Sequence, residues 1–241
     1  MSPLPFFTFP KWANKITVIL LLAAAFAPFY IIAWWGYGFN ARTLNVGFSP
    51  IQPVPFSHAL HAGRLGIDCR YCHTTVEDAA FAAIPPAQTC MNCHTAIAPH
   101  DPRLAWVRRS YRTGMPIPWV KVDDLPDYVY FNHSAHINAG VSCFMCHGKV
   151  NHMARVVQVK PLNMAFCLAC HRHPEPNLRP RDEVTNLDWT PKSKTLLAKD
   201  LHLTMAQVTT LDLPKHLGRY LFKRYHIKSK KQLTDCVTCH R

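Results

Sequence analysis

The chain has 241 residues, a formal charge of +13, 20 prolines and ten cysteines. Its basic residues are scattered, with no run of five or six and no nucleic-acid motif, so the charge does not argue for a nucleic-acid partner. The prolines and the long stretches without hydrophobic period argue against a regular sheet or bundle, and ten cysteines are too many for an ordinary cytosolic enzyme.

The first predicted element is ITVILLLAAAFAPFYIIAWWGYGF, Ile16 to Phe39. It carries no charge and is long enough to cross a bilayer as a helix of about 20 residues. Trp34, Trp35 and Tyr37 at one end and Trp12 before the other suit interfacial anchors. Pro28 can kink such a helix without breaking it. Ala25-Phe26-Ala27 resembles a signal-peptide cleavage site. A cut there would leave Pro28 first and the apolar run unfinished, so an uncleaved anchor is expected. Lys11 and Lys15 flank the first end and only Arg42 follows the second. The positive-inside rule then puts the lead in the cytoplasm and the rest on the outer, periplasmic face of a bacterial inner membrane.

Beyond the anchor, every cysteine falls into one pattern. The copies are Cys69-Arg-Tyr-Cys72-His73, Cys90-Met-Asn-Cys93-His94, Cys143-Phe-Met-Cys146-His147, Cys167-Leu-Ala-Cys170-His171 and Cys236-Val-Thr-Cys239-His240. Two thiols three residues apart lie on one turn and can add to two vinyl groups on one porphyrin edge. The following imidazole then sits under the iron as proximal ligand. Zinc sites need pairs to converge on one metal, and five pairs do not divide into two-pair sites. Disulfide frameworks do not require a trailing histidine. A thioredoxin-like motif would lie on a βαβ pattern, which is absent. Five covalently attached c-type haems are therefore expected. Their propionates add about ten negative charges and bring the surface near neutrality.

Each iron has a second axial position. FSHALHAGRLGIDCRYCH, residues 56–73, returns as FNHSAHINAGVSCFMCH, residues 131–147, so His133 and His136 correspond to His58 and His61. Residues at i and i+3 on a helical turn project to nearby directions. Two imidazoles so placed can serve two different haems and draw them together. His58, His61, His133 and His136 are the expected distal ligands. One iron is left. Met153 is favoured for it, with Met164, His152 and His100 as alternatives, and a His/Met iron would have a higher potential than its bis-histidine neighbours.

The expected fold is mainly α and irregular: one N-terminal transmembrane helix, two tandem two-haem modules and a fifth haem. The anchor with its lead takes residues 1–39, the first module 40–115 and the second 116–185. A C-terminal segment, 186–241, carries the fifth haem. Within that segment LPKHLGRYLFKRYHI reads as a helix with Leu217, Leu221 and Tyr225 packing along one stripe and Lys215, Arg219, Lys223 and Arg224 in solvent.

The Phe-x-His-x-x-His element with paired haem motifs resembles the small class III multihaem cytochromes. The whole chain, through CHGKVNHM, LNMAFCLACHRHPEPNLRP, EVTNLDW and LTDCVTCHR, resembles the pentahaem membrane-anchored cytochrome c subunit of alternative complex III. The resemblance implies an iron–sulfur subunit, integral membrane quinol-site subunits and a monohaem cytochrome c as partners. It also implies quinol as upstream donor and electron flow from the iron–sulfur partner toward the monohaem cytochrome or a periplasmic acceptor. The expected role is a relay rather than an enzyme, because six-coordinate irons exchange electrons but offer no substrate site. The competing reading is a self-contained, membrane-anchored multihaem quinol dehydrogenase feeding a periplasmic reductase. A third is a multihaem reductase with one five-coordinate haem.

Overall fold

A computed structural model describes residues 9–38, 44–190 and 194–240. The chain divides into two compact units, Met1–Leu44 and Asn45–Arg241. Phe39, the end of the expected apolar run, and Arg42 lie outside the described residues, as do Met1 to Thr8.

In the first unit α1 runs Ala13–Gly38 with Pro28 inside it and no residue buried. At 1.5 Å per residue it is about 39 Å long, enough for a bilayer core of about 30 Å. It is long and apolar enough to cross a membrane.

The second unit is helical and irregular. Among the described residues there is no strand, only an isolated bridge between Val141 and Leu178. The first helices are brief: α2 (Cys69–Cys72), α3 (Ala87–His94), α4 (Ala105–Thr113), α5 (His133–Asn138), α6 (Phe144–His147) and α7 (Met164–Arg172). Side-chain caps fix where several of them begin. Asp68 accepts from Arg70 N–H, Asn132 from Ala135 N–H and Asn163 from Phe166 N–H, each satisfying one orphan donor of a first turn. Gly114, at φ 72°, closes α4 in the left-handed conformation that glycine adopts without strain.

The larger apolar core is C-terminal. It joins α8 (Lys194–Asp200), α9 (Met205–Thr210) and α10 (Leu213–Arg224), and α11 (Lys230–Leu233) follows. Capping boxes Thr204/Gln207 and Ser229/Gln232 start α9 and α11. Leu197, Leu201, Val208, Leu213 and Leu221 are fully buried there, each worth about 1.5–3 kcal/mol relative to exposure. The stripe expected on α10 is present: Leu217 and Leu221 are buried, and the half-buried Tyr225 accepts the Arg181 N–H. Arg219, Lys223 and Arg224 are exposed; the Lys215 side chain lies outside the described ones. Around the cysteine motifs the apolar clusters are smaller: Val54, Met91 and Val107, then Val76, Ile137 and Val184. Loop-to-loop hydrogen bonds hold that region.

Candidate haem-binding sites

No disulfide joins any of the ten cysteines. In each motif the chain makes one helical turn that brings the histidine back over the first cysteine. His73 N–H donates to the Cys69 carbonyl at 2.8 Å, His147 N–H to Cys143 at 2.9 Å and His240 N–H to Cys236 at 2.8 Å. Burial pushes up the thiols of Cys69, Cys72, Cys90, Cys167 and Cys170, and those of Cys143 to about 12 and Cys146 to about 11.

The five motif histidines share one arrangement. Nδ1–H of each donates to a fixed acceptor: His73 to Ala83 O at 2.7 Å, His94 to Ile97 O at 2.9 Å, His147 to Asp123 Oδ2 at 2.7 Å, His171 to Leu233 O at 2.7 Å and His240 to Tyr128 O at 2.9 Å. Engaging Nδ1 fixes the tautomer and leaves Nε2 as the ligating nitrogen. Three of the expected distal histidines are prepared in the same way. His61 donates to Ser57 O, His133 to Ala80 O and His136 to Asn132 O, at 2.9, 2.8 and 2.7 Å. Nδ1 of His58 is buried without a partner. Three other histidines are turned round, with Nε2 toward a carboxylate: His152 to Asp188, His202 to Asp182 and His216 to Asp212. Eight of the expected ligands engage Nδ1, whereas His152 presents Nε2 to Asp188 at 3.7 Å.

Phe56 and Phe131 brace the distal pairs identically. Phe56 stacks on His61 at 4.4 Å and meets His58 edge-on at 4.8 Å; Phe131 stacks on His136 at 4.5 Å and meets His133 edge-on at 4.8 Å. Three of the four braced rings face a motif histidine. His61 lies 6.2 Å from His94, His133 6.5 Å from His147 and His136 6.0 Å from His171, between ring centroids. A metal–imidazole bond is about 2 Å long. Two such bonds with the two half-rings span about 6.4 Å, so the observed separations fit one iron between each pair. Burial, then His73, lowers His58 to about 4, with His61 and His147 acting in the same direction. Its twin His133 is lowered by burial, with His147 and His73 adding.

The two copies grip each other. Ser134 N–H donates to Ala79 O at 3.2 Å, and its counterpart Ala59 N–H donates to Met153 O at 2.9 Å. Ala79 follows His73 by six residues, as Met153 follows His147. Asn138 Nδ2 donates to Glu77 O at 2.9 Å. At the matching place Gly63 lies against Asn151 O, where a Cβ would collide. Each distal turn is thus held by the segment following the other copy's first motif. The first of these turns, Ala59–Arg64, is a wide π turn, whereas its twin α5 is α-helical.

Neighbour relations order the motifs. Asn92 of the second bonds Tyr71 of the first at 3.2 Å. The first and third meet through the exchange just described. His133 and His136 join the third and fourth on one turn. His171 of the fourth is held by Leu233, three residues before the fifth, whose Cys239 carbonyl accepts the Tyr130 N–H at 2.8 Å. The thiols agree. After burial, the cysteine named first in each case is raised next by its neighbour: Cys90 by Cys72, Cys143 by Cys69, Cys146 by Cys167 and Cys167 by Cys239. These contacts link the motifs in the order second, first, third, fourth, fifth.

Sequence reasoning missed Asp123, an acid in a loop beside Asp124 with no local signal, and the carbonyls that orient the imidazoles. Met153 is placed at the first distal turn through its carbonyl. Met164 is exposed at the start of α7, one turn before Cys167, and His100 is exposed.

No family model matches the chain. Over 129 residues, 50% of its length, it is 31% identical to the "Menaquinone reductase, multiheme cytochrome c subunit" of Nitratidesulfovibrio vulgaris strain Hildenborough. The match spans 58% of that protein. The chain is similar to a multihaem cytochrome c, and with it to proteins that bind c-type haem covalently. This likeness does not reach alternative complex III.

Proposed function

We propose that the chain is a pentahaem c-type cytochrome that relays electrons for a membrane quinone-linked oxidoreductase, anchored by α1 with its haem unit on the periplasmic side. The observation that carries this is the 6.0–6.5 Å spacing of His61–His94, His133–His147 and His136–His171. Cys69 and Cys72, Cys90 and Cys93, Cys143 and Cys146, Cys167 and Cys170, and Cys236 and Cys239 would attach the haems. His73, His94, His147, His171 and His240 would be proximal ligands. His58, His61, His94's partner included, and His133 and His136 would be distal. Haem would supply one-electron chemistry, and these histidines would hold each iron from both faces.

The ordering of the motifs supports a single path with the second and fifth at its ends. The fifth iron would take a sulfur ligand. Met153 is the first candidate; Met164, which shares a helix face with Cys167 on α7, is the second. The relative's printed name points to the quinone pool. The fuller resemblance of the sequence points to an alternative complex III, with an iron–sulfur subunit, quinol-site membrane subunits and a monohaem cytochrome c as partners.

Purification of the anchored protein tests the reading. Five haems per chain by pyridine haemochrome and mass, and no spectral change with carbon monoxide, are expected. A chain carrying fewer haems, or one that binds carbon monoxide, is not this relay. If the isolated chain were reduced by quinol at the full rate of the complex, the self-contained quinol dehydrogenase would be the correct reading.

A further inference from the structure

Four of the five motif histidines are held by backbone carbonyls, but His147 is held by a carboxylate. Asp123 Oδ2 accepts its Nδ1–H at 2.7 Å. The Asp123 side chain is 17% exposed, and its second oxygen, Oδ1, is buried without a hydrogen-bond partner. Lys121, two residues earlier, is bound to Asp124 instead, at 3.1 Å. The carboxylate therefore directs its charge at the imidazole. A buried polar atom left without a partner calls for a functional reason.

A carbonyl offers Nδ1–H a dipole, whereas a carboxylate offers a full charge and a stronger, charge-assisted bond. It draws the Nδ1 proton and raises the electron density at Nε2, which makes the imidazole a more basic ligand. The negative charge also lies near the metal. Both effects favour the ferric over the ferrous state.

We propose that Asp123 is a positioning residue that lowers the reduction potential of the iron held by His147 and His133 relative to its neighbours in the path. The inference rests on the haem reading above. The third motif is the middle member of the spatial order, so every electron crossing between the two ends meets this step. Asp123 thereby makes the centre of the path an uphill stage in both directions, and removing its charge levels it.

The experiment uses the full anchored protein with its haems, as wild type, Asp123→Asn and Asp124→Asn. Asparagine keeps an oxygen that accepts from Nδ1–H and removes only the charge. Asp124→Asn removes a neighbouring exposed charge that does not touch His147. Spectroelectrochemical titration of Asp123→Asn is expected to show one of five components favouring reduction at least tenfold more, which is about 59 mV upward for one electron. Asp124→Asn should leave all five in place. Unmoved components in Asp123→Asn, or an equal shift in Asp124→Asn, overturn the proposal. If Asp123→Asn loses haem, the wild-type electron paramagnetic resonance spectrum decides. One low-spin signal with the narrowed g spread of a more basic imidazole supports the assignment, and five ordinary signals overturn it. A haemochrome count showing no covalent haem fails the haem reading itself, a different result from five haems with unmoved potentials.

Discussion

Replacing Gly63 with alanine tests the mutual grip of the two copies. Gly63 is two residues beyond His61, and a Cβ there would overlap Asn151 O and come within 3.4 Å of its carbonyl carbon. Both are backbone atoms, so no side chain can swing aside. Restoring a C···O contact of about 3.3 Å requires the two segments to part by about 1 Å. Overpacking of that kind costs about 1–3 kcal/mol, or roughly 2–12 °C in the unfolding midpoint of a domain this size. The same displacement carries His61, whose bond to iron would be only about 2 Å long. Gly63→Ala should therefore lower the midpoint and put one haem into a high-spin, carbon monoxide-binding form. Asn138→Ala, at the equivalent place, deletes only the bond to Glu77 O, about 0.5–1.5 kcal/mol, and creates no clash. A Gly63→Ala protein with an unchanged midpoint and five low-spin haems would refute the close approach and the reciprocal packing built on it.

Other perturbations separate the remaining assignments. His133→Ala and His136→Ala should each open one iron, seen as carbon monoxide binding at one haem in five; the double variant should show two, and a variant with no response removes that histidine from the ligand set. Met153→Ala and Met164→Ala, titrated side by side, should reveal the fifth ligand as a single component falling in potential in one variant only; if both leave all five components unchanged, neither sulfur is a ligand. Asp68 is held below the usual carboxylate range, first by its hydrogen bond to the Arg70 side chain. A depressed acid contributes stability that is present above its unfolded pKa of about 4 and is lost as pH falls through the lower folded value. The advantage of wild type over Asp68→Asn should thus shrink between neutral pH and pH 3, and an advantage independent of pH in acid unfolding would remove the coupling.

What could be read from the sequence was what lies close along the chain. Cys-x-x-Cys-His is a single helical turn, so its spacing already puts His73 over Cys69. The Phe-x-His-x-x-His element is likewise one turn, and its duplication marked His58, His61, His133 and His136. The α10 stripe of Leu217 and Leu221 followed from helical period. Asp123 was invisible because it acts across 24 residues on a histidine already explained by its own motif. The orienting carbonyls carry no sequence signature, since any residue supplies one.

The pairings show why the leading histidines could not be matched to irons from sequence. His58 and His61 occupy one turn, yet His61 faces the second motif while His58 is perturbed by the first and, more weakly, by His147 of the third. A distal turn therefore stands between two motifs of its own copy and is held by a third from the other copy. The repeat gives the local geometry twice but not how the copies meet, because that depends on segments such as Ala79–Ala80 and Met153, whose side chains play no part in the bond. The exchange also explains how a region with only small apolar clusters keeps imidazole pairs within half an ångström of one spacing. Each pair is fixed from both sides, by a phenylalanine of its own element and by backbone from the other copy. Weakening one copy should therefore disturb the ligands of both: Gly63→Ala opens the haem of His61 and shifts the spectrum of the haem of His133 without opening it.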